Sequence, residues 1–433
     1  MKVHFLGIGG SGTSAAAALA QTQGFEVTGC DLDIDNEFTK VFKKDQLFKR
    51  HNPDHLQNTD LLVVTPAIFS LDPNNPELKT AKKVITWQQF LGEYLTKDKF
   101  VIAVCGTHGK STTTAMIAKM LEDANLDPTV ELGAIVPSWK TNFRVGKGRY
   151  FVIEADEFND NFLHFKPDIT VVTNIEMDHP EYFKDFEAVK KSFAKFKSQS
   201  KKVFDKPNPR LIKFKLQIPG DFNVANASLA FQVGLALDLN PGSLRKSLAN
   251  YQGIGRRFEY VGDYNPSASL RGREPSGRIG SGQEGAKVYS DFGHHPTEIK
   301  VTMEAARQKF SDKRILLIYQ PHMFSRTKVL FDDFVKVFKN LPIDKIFIMD
   351  IYPSREVNTG LVSTKQLTGA ISKDNVVYIG STAEVLKKLK PEIKSGDIIF
   401  FMSAGDTDKL AKELVSGAFS RPVSKHQYKS NSQ

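Results

Sequence analysis

The sequence predicts an α/β protein of three units in series, each built on a mostly parallel sheet. Three observations carry that expectation. At 433 residues the chain exceeds what one hydrophobic core serves, so two or three domains is the ordinary division. Short apolar runs alternate with helical patterns in three successive stretches. Two glycine-rich loops, GIGGSG at 7–12 and CGTHGKSTTT at 105–114, each follow an apolar run and precede a helix.

The first unit opens with the strand KVHFL (2–6), the glycine loop and the alanine-rich helix SAAAALAQT. Strands FEVTGC, running to Asp31, and LLVVT, running to Thr65, continue a βαβ rhythm. A helix at 87–95 and the charged stretch TKDK lead to FVIAVC (100–105), whose loop feeds a helix starting at Lys110. Strands YFVIEA and ITVVT follow, then an amphipathic helix at about 185–197 and helices near 223–237 and 241–249. The third alternation reads KVYSD, RILLIYQ, KIFIMD, VVYIG and DIIFFM. Residues 265–285, rich in Gly, Ser and Arg, read as a mobile loop at a hairpin tip. The domain boundaries that follow are 1–97, 98–253 and 254–433.

Composition narrows the function classes. The net charge is +10, but the basic residues are scattered, as in KVFKKDQLFKR, which suits solvated faces and anionic small molecules rather than nucleic acid. There is no apolar run of about 18 residues to span a membrane. The N-terminus reads as a strand and loop, not a signal peptide. Two cysteines, Cys30 and Cys105, give no disulfide framework and suit a reducing cytoplasm.

Phosphate chemistry is written into both loops. Gly7, Gly9 and Gly12 satisfy G-x-G-x-x-G after a strand, with Gly10 and Ser11 at the helix mouth, where backbone and dipole favour a diphosphate. Asp31, about 20 residues on, is placed for a ribose hydroxyl. The fingerprint indicates a diphosphate plus sugar; a nicotinamide-dependent dehydrogenase would share it but leave the second loop idle. That loop, Gly106-Thr107-His108-Gly109-Lys110-Ser111-Thr112, is a P-loop one residue short of the usual pattern. Lys110 is placed for β/γ-phosphates, and Ser111 or Thr112 for Mg²⁺. EADE (154–157) and NIEMDH (174–179) end successive strands and put Glu154, Asp178 and His179 at one sheet edge, fit for a metal-phosphate site. Asn223 and Asn226 lie three apart on one helix face, able to read an adenine edge, with a helix N-cap as the plainer role for Asn223. DFGHHPTEI and QPHMFSRT place His294 or His295 and Arg326 after third-unit strands, the arginine suited to a carboxylate or phosphate.

Taken in order, GTHGKSTTT, EADE, TNIEMDH, N-x-x-N, GRRFE, DFGHHPTEI and QPHMFSRT resemble the Mur ligases over nearly the whole chain. The resemblance implies a UDP-substrate domain, a central ATPase and a C-terminal amino-acid domain. It implies an ATP-dependent amide-bond ligase of peptidoglycan synthesis that adds L-alanine to UDP-N-acetylmuramate through an acyl phosphate. The cofactors implied are ATP and Mg²⁺, with the metal on Ser111, Glu154 and His179 and with Asn223, Asn226 and Arg257 on ATP. His294 and Arg326 would serve the incoming amino acid and the phosphate; Lys110, His179, His294 and Arg326 form the catalytic set. Closure of the C-terminal domain would exclude water. The protein is expected in the cytoplasm as a monomer or homodimer.

The chain departs from the family pattern at Met323-Phe324, where Arg-Tyr is usual, at Ser290 and Phe292, and at Phe222 ahead of Asn223. The segment from about 198 to 222 is also short. These changes leave the amino-acid specificity open. A ligase recycling a preformed peptide onto UDP-N-acetylmuramate, or a non-catalytic nucleotide-binding relative, are the alternatives.

Overall fold

The computed structural model describes residues 1–266, 284–354, 356–358 and 360–417, with the side chain of Ser70 left aside. The expected loop at 265–285 and the tail beyond 417 therefore lie almost wholly outside the described residues. Contacts divide the chain into two compact units, Met1–Arg257 and Phe258 onward.

The first unit holds two sheets. One contains β1 (Lys2–Leu6), β2 (Glu26–Asp31), β3 (Leu47–Lys49), β4 (Leu61–Val64) and β5 (Val84–Thr86), in the order β3-β2-β1-β4-β5. All its pairings are parallel. The other contains β6 (Phe100–Cys105), β7 (Thr129–Val136), β8 (Thr141–Arg144), β9 (Tyr150–Glu154), β10 (Ile169–Val172) and β11 (Lys202–Phe204), ordered β11-β10-β6-β9-β7-β8. Only β8 runs antiparallel, in a hairpin with β7. Helices cover both faces of such parallel sheets, so the strands read as near-continuous apolar runs.

The two sheets share one core cluster, and each has a further cluster of its own on the other face. Val3, Phe5, Val27, Leu61 and Val63 from one face of the first sheet pack with Ala16–Ala20 and Phe90. The same cluster continues through Val101, Ala103, Phe151 and Ile153 of the second sheet to Phe162, Phe193 and Phe196. Asn142 Nδ2, on β8, also donates to the Ser11 carbonyl at the glycine-loop helix (2.9 Å). That shared packing is why two sheets form one unit.

The second unit contains β12 (Glu259–Tyr264), β13 (Ala286–Asp291), β14 (Ile315–Tyr319), β15 (Lys345–Met349), β16 (Val376–Gly380) and β17 (Ile398–Met402), ordered β12-β13-β17-β14-β15-β16. β12 and β13 are antiparallel neighbours on either side of the 265–285 segment. Alternation along a strand divides the side chains between faces. Ile315, Leu317 and Tyr319 meet Phe334 and Phe338, whereas Leu316 and Ile318 meet Val385, Leu389 and Leu410. No helix among the described residues is long and apolar enough to cross a membrane.

Candidate active site

The first glycine loop is held from β2. Gly7 N and Ile8 N donate to the Cys30 carbonyl (2.9 and 3.2 Å). Gly9 N donates to Asp31 Oδ2 (2.9 Å), and Asp33 N to Asp31 Oδ1 (3.1 Å). Asp31 therefore fixes the loop's backbone, a role that spacing alone did not reveal. Each carboxylate oxygen keeps capacity for one further donor, such as a sugar hydroxyl. Gly10 caps the helix Ser11–Thr22 without a side-chain hydrogen bond, and Gly12 lies in its first turn.

The P-loop turns on two glycines. Gly106 has φ +135° and Gly109 φ +79°, in the left-handed region that other residues enter only with strain. Thr107 N donates to the Asn174 carbonyl (3.1 Å) and His108 N to Asn174 Oδ1 (2.9 Å). Asn174 Nδ2 returns a bond to the His108 carbonyl (3.0 Å), and Thr107 Oγ1 accepts from Glu176 N (2.8 Å). The loop is thus laced to the segment after β10. Two of its amides face Asn174, leaving Lys110, Ser111 and Thr112 at the head of the helix Lys110–Asp123, before its first bond from Thr113 N to the Gly109 carbonyl. A helix start of this kind favours anions.

Lys110 Nζ donates to the Gly106 carbonyl (2.7 Å) and to both Glu157 oxygens (3.1 and 2.8 Å). Burial alone would lower the Lys110 pKa, but the carboxylates of Glu157, Asp156 and Glu154 outweigh it and hold the ammonium charged. Glu157 is itself pushed up by burial, with Lys110 opposing.

The metal residues expected from the sequence are not all brought together. Asp156, Glu157 and His179 offer ligand atoms within 4.8 Å of one another. Glu154, at the end of β9, instead accepts from Gly133 N (2.7 Å) on β7. Ser111 is buried in the first turn of the P-loop helix. His179 sits at φ +54°, its Nδ1 3.2 Å from Glu181 Oε1. Burial pulls its pKa down, but Asp178, Glu181, Asp156 and Glu157 together raise it.

Asn223 is not the helix N-cap. That position is Gly220, and Asn223 Nδ2 donates to the Pro219 carbonyl (2.7 Å) from the first turn of Asp221–Ala236. Asn226 lies against the P-loop: a Cβ at Gly109 would stand 2.7 Å from its Oδ1. Arg257, whose Nη1 donates to the Arg256 carbonyl (3.0 Å), ends this unit near the buried Tyr251 hydroxyl.

In the second unit, the two adjacent histidines divide their work. His295 Nδ1 accepts from Thr297 N (3.3 Å), capping Pro296–Lys309, while Glu298 Oε2 accepts from His295 N (3.1 Å). The His294 ring stands 5.8 Å from that of His322. Arg326 Nη1 lies 3.1 Å from His322 Nδ1, and the guanidinium is buried. His294, His322 and Arg326 thus form one cluster at the ends of β13 and β14. Met323, where the sequence departs from the family, is buried at φ +71° and caps the helix that carries Arg326.

Sequence reasoning passed over Asp156 and Glu157 individually, although both lie in the quoted EADE. It also missed Glu131, a buried carboxyl on β7 whose Oε2 has no hydrogen-bond partner. Burial, then Glu154 and Asp156, raise its pKa well above the usual carboxylate range.

Three family profiles match: "Mur ligase family, catalytic domain" over residues 2–97, "Mur ligase middle domain" over 104–203, and "Mur ligase, glutamate ligase domain" over 277–405. The UDP-N-acetylmuramate–L-alanine ligase of Clostridium tetani is 34% identical over 464 residues, covering 94% of this chain and 96% of that protein. The ligase of the same name from Aquifex aeolicus is 34% identical, covering 96% and 97%. Among solved structures, UDP-N-acetylmuramate-alanine ligase MurC of Thermotoga maritima superposes with a TM-score of 0.75 at 24% identity, covering 96% and 98%. The murein peptide ligase Mpl of Psychrobacter arcticus gives 0.65 at 22%, covering 97% and 100%. At these identities the two structures speak for the fold alone.

Proposed function

The chain belongs to the Mur ligase family, and from that premise we propose that it joins L-alanine to UDP-N-acetylmuramate in peptidoglycan synthesis, using ATP. Forming an amide from a carboxylate in water is uphill, so the carboxylate is first phosphorylated and the amine then displaces phosphate. The observation that carries this reading is the Lys110 ammonium, held charged at the mouth of the short P-loop.

Residues take roles from their positions. Gly7, Gly9, Gly10, Ser11 and Gly12, with Asp31 bracing them, receive the UDP diphosphate. Gly106 to Thr112 cradle the ATP phosphates, and Lys110 offsets charge on the transferring phosphoryl group. Asn226, against Gly109, and Asn223 read the adenine, with Arg257 on the nucleotide. In the second unit Arg326 suits the alanine carboxylate or the acyl phosphate, and His294 holds a position beside His322 for the amino group. The domain division proposed is 1–97, 98–253 and 254–433, and the setting is the cytoplasm, where ATP is supplied.

The donors at His179 fit a hard divalent cation: two carboxylates and one imidazole converge, with Glu154 and Ser111 on neighbouring elements. Mg²⁺ held there would neutralise phosphate-oxygen charge during transfer. Its affinity should depend on pH with a definite sign. The His179 pKa is raised above 6.5, so the proton persists to higher pH and competes with the metal. Half-saturating Mg²⁺ is expected to climb as pH falls through the raised His179 pKa, about tenfold per unit at the limit of one proton. His179→Gln should flatten the profile; an equally steep profile in that variant would remove His179 from the metal.

Phosphate release with Mg-ATP and UDP-N-acetylmuramate tests the function, with alanine, glycine, serine and a tripeptide as acceptors. Alanine-dependent release with the matching product mass is the expected outcome. Release with the tripeptide alone would move the assignment to peptide recycling, and release with none would overturn the ligase reading.

A further inference from the structure

A second set of metal-binding side chains lies outside the nucleotide site, on the opposite face of the first sheet from the shared core. His4 on β1, Cys30 on β2, His55 in the turn Pro53–Leu56 and Glu77 in the helix Pro76–Thr80 place one potential ligand atom each within 4.8 Å of one another. His4, Cys30 and Glu77 are fully buried. We propose that these four residues form a Zn²⁺-type site that staples this face of the sheet.

Geometry argues first. Tetrahedral Zn²⁺ with nitrogen and oxygen ligands at about 2.0–2.2 Å and sulfur at about 2.3 Å implies ligand-to-ligand separations of roughly 3.3–3.6 Å. Cys30 Sγ lies 3.2 and 3.3 Å from the Glu77 oxygens, His55 Nδ1 3.1 Å from Glu77 Oε1, and His4 Nε2 3.5 Å from Glu77 Oε2. Small adjustments would open the set around an ion.

The rings are also prepared. His4 Nδ1 contacts Thr28 Oγ1 at 2.8 Å, which lets Nδ1–H donate and turns the Nε2 lone pair inward. That Nε2 is buried and has no hydrogen-bond partner. The His55 ring is stacked on Phe48, with centroids 4.4 Å apart. Asn52 N holds Glu77 Oε1 (2.8 Å), and His51 Nδ1 stands 3.3 Å from the sulfur as an outer partner.

Chemistry selects the metal. A thiolate and two imidazoles favour Zn²⁺ or its neighbours over Mg²⁺. One thiolate and one carboxylate would balance the ion's two charges, and the Cys30 thiol proton would leave to solvent on binding. The staple has a physical use: among the described residues, the apolar cluster on this face has just Leu6, Cys30, Leu62, Val64 and Ile68 as buried members.

Full-length protein from zinc-supplemented cultures, gel-filtered in excess Mg²⁺, should carry about one zinc per chain by elemental analysis. Cobalt reconstitution should show a thiolate-to-cobalt charge-transfer band. The band should persist in Cys105→Ala and vanish in Cys30→Ser and in the less intrusive His55→Gln, each checked for fold by circular dichroism. Zinc content in those last two should fall at least tenfold. Wild-type protein with neither zinc nor the cobalt band would overturn the proposal and leave a hydrogen-bonded Cys-Glu-His cluster. A band that survives Cys30→Ser would overturn it equally.

Discussion

Lys110→Ala is expected to lower kcat for phosphate release by on the order of 10²–10³-fold or more, the loss typical when one preorganised charge-stabilising donor is removed. It should also destabilise the first unit, because Glu157 would remain buried without its cation. Removing one partner of such a pair costs about 3–5 kcal/mol, more than the net worth of the pair itself. The double variant Lys110→Ala/Glu157→Gln isolates the stability effect; its activity stays lost on two counts, because Glu157 also belongs to the metal-donor set. Chemical denaturation should return to within about 1–2 kcal/mol of the parent, since an amide tolerates burial better than an unpaired charge, while phosphate release stays lost. A double variant that regained activity would show that Lys110 serves only to neutralise Glu157.

Gly106→Ala should be nearly as damaging through sterics alone. The new Cβ would stand 2.0 Å from Thr173 Oγ1 and 3.0 Å from both Thr173 N and the Asn174 carbonyl oxygen, at φ +135°. Backbone strain of about 1–3 kcal/mol adds to an overpacking cost of about 1–3 kcal/mol. The loop must shift, and with it the Asn174 bonds that set its shape. We expect KM for ATP to rise at least tenfold alongside the lost stability. Adding Thr173→Ala relieves the closest contact but neither the backbone contacts nor the φ strain. It should recover part of the stability and little of the ATP affinity; full recovery of both would locate the whole effect in the Thr173 hydroxyl.

The legible part of the fold was the part with long, uniform patterns. Central strands such as Phe100–Cys105 and Ile398–Met402 are buried on both faces and stand out as apolar runs. The three-residue edge strands Leu47–Lys49, Val84–Thr86 and Lys202–Phe204 are too short to show a period. Thr129–Val136 was hidden because Glu131 interrupts its apolar run, and the burial of that carboxyl is not something the sequence displays. In the site, loop glycines and Lys110 follow from local geometry and were readable. The preference of Glu154 for Gly133 N, and the convergence of Asp156 and Glu157 on His179, depend on neighbouring strands. The same holds for His4, Cys30, His55 and Glu77, which no local spacing connects. The shared cluster that joins the first two sheets, with Phe90, Phe162 and Phe165 among its members, also depends on tertiary packing that no local pattern displays.

That common core, with Asn142 bonded to Ser11, sets the two glycine loops within one packed unit. The sugar-nucleotide substrate carries its diphosphate and its reactive carboxylate at a separation fixed by covalent bonds. Loops held at a fixed spacing by that packing would act on such a molecule as a ruler. A substrate of the right length spans both loops without distortion, and one that is too short or too long must give up one anchor to keep the other. Discrimination by reach would then precede any recognition of the amino acid, and would need no residue dedicated to it.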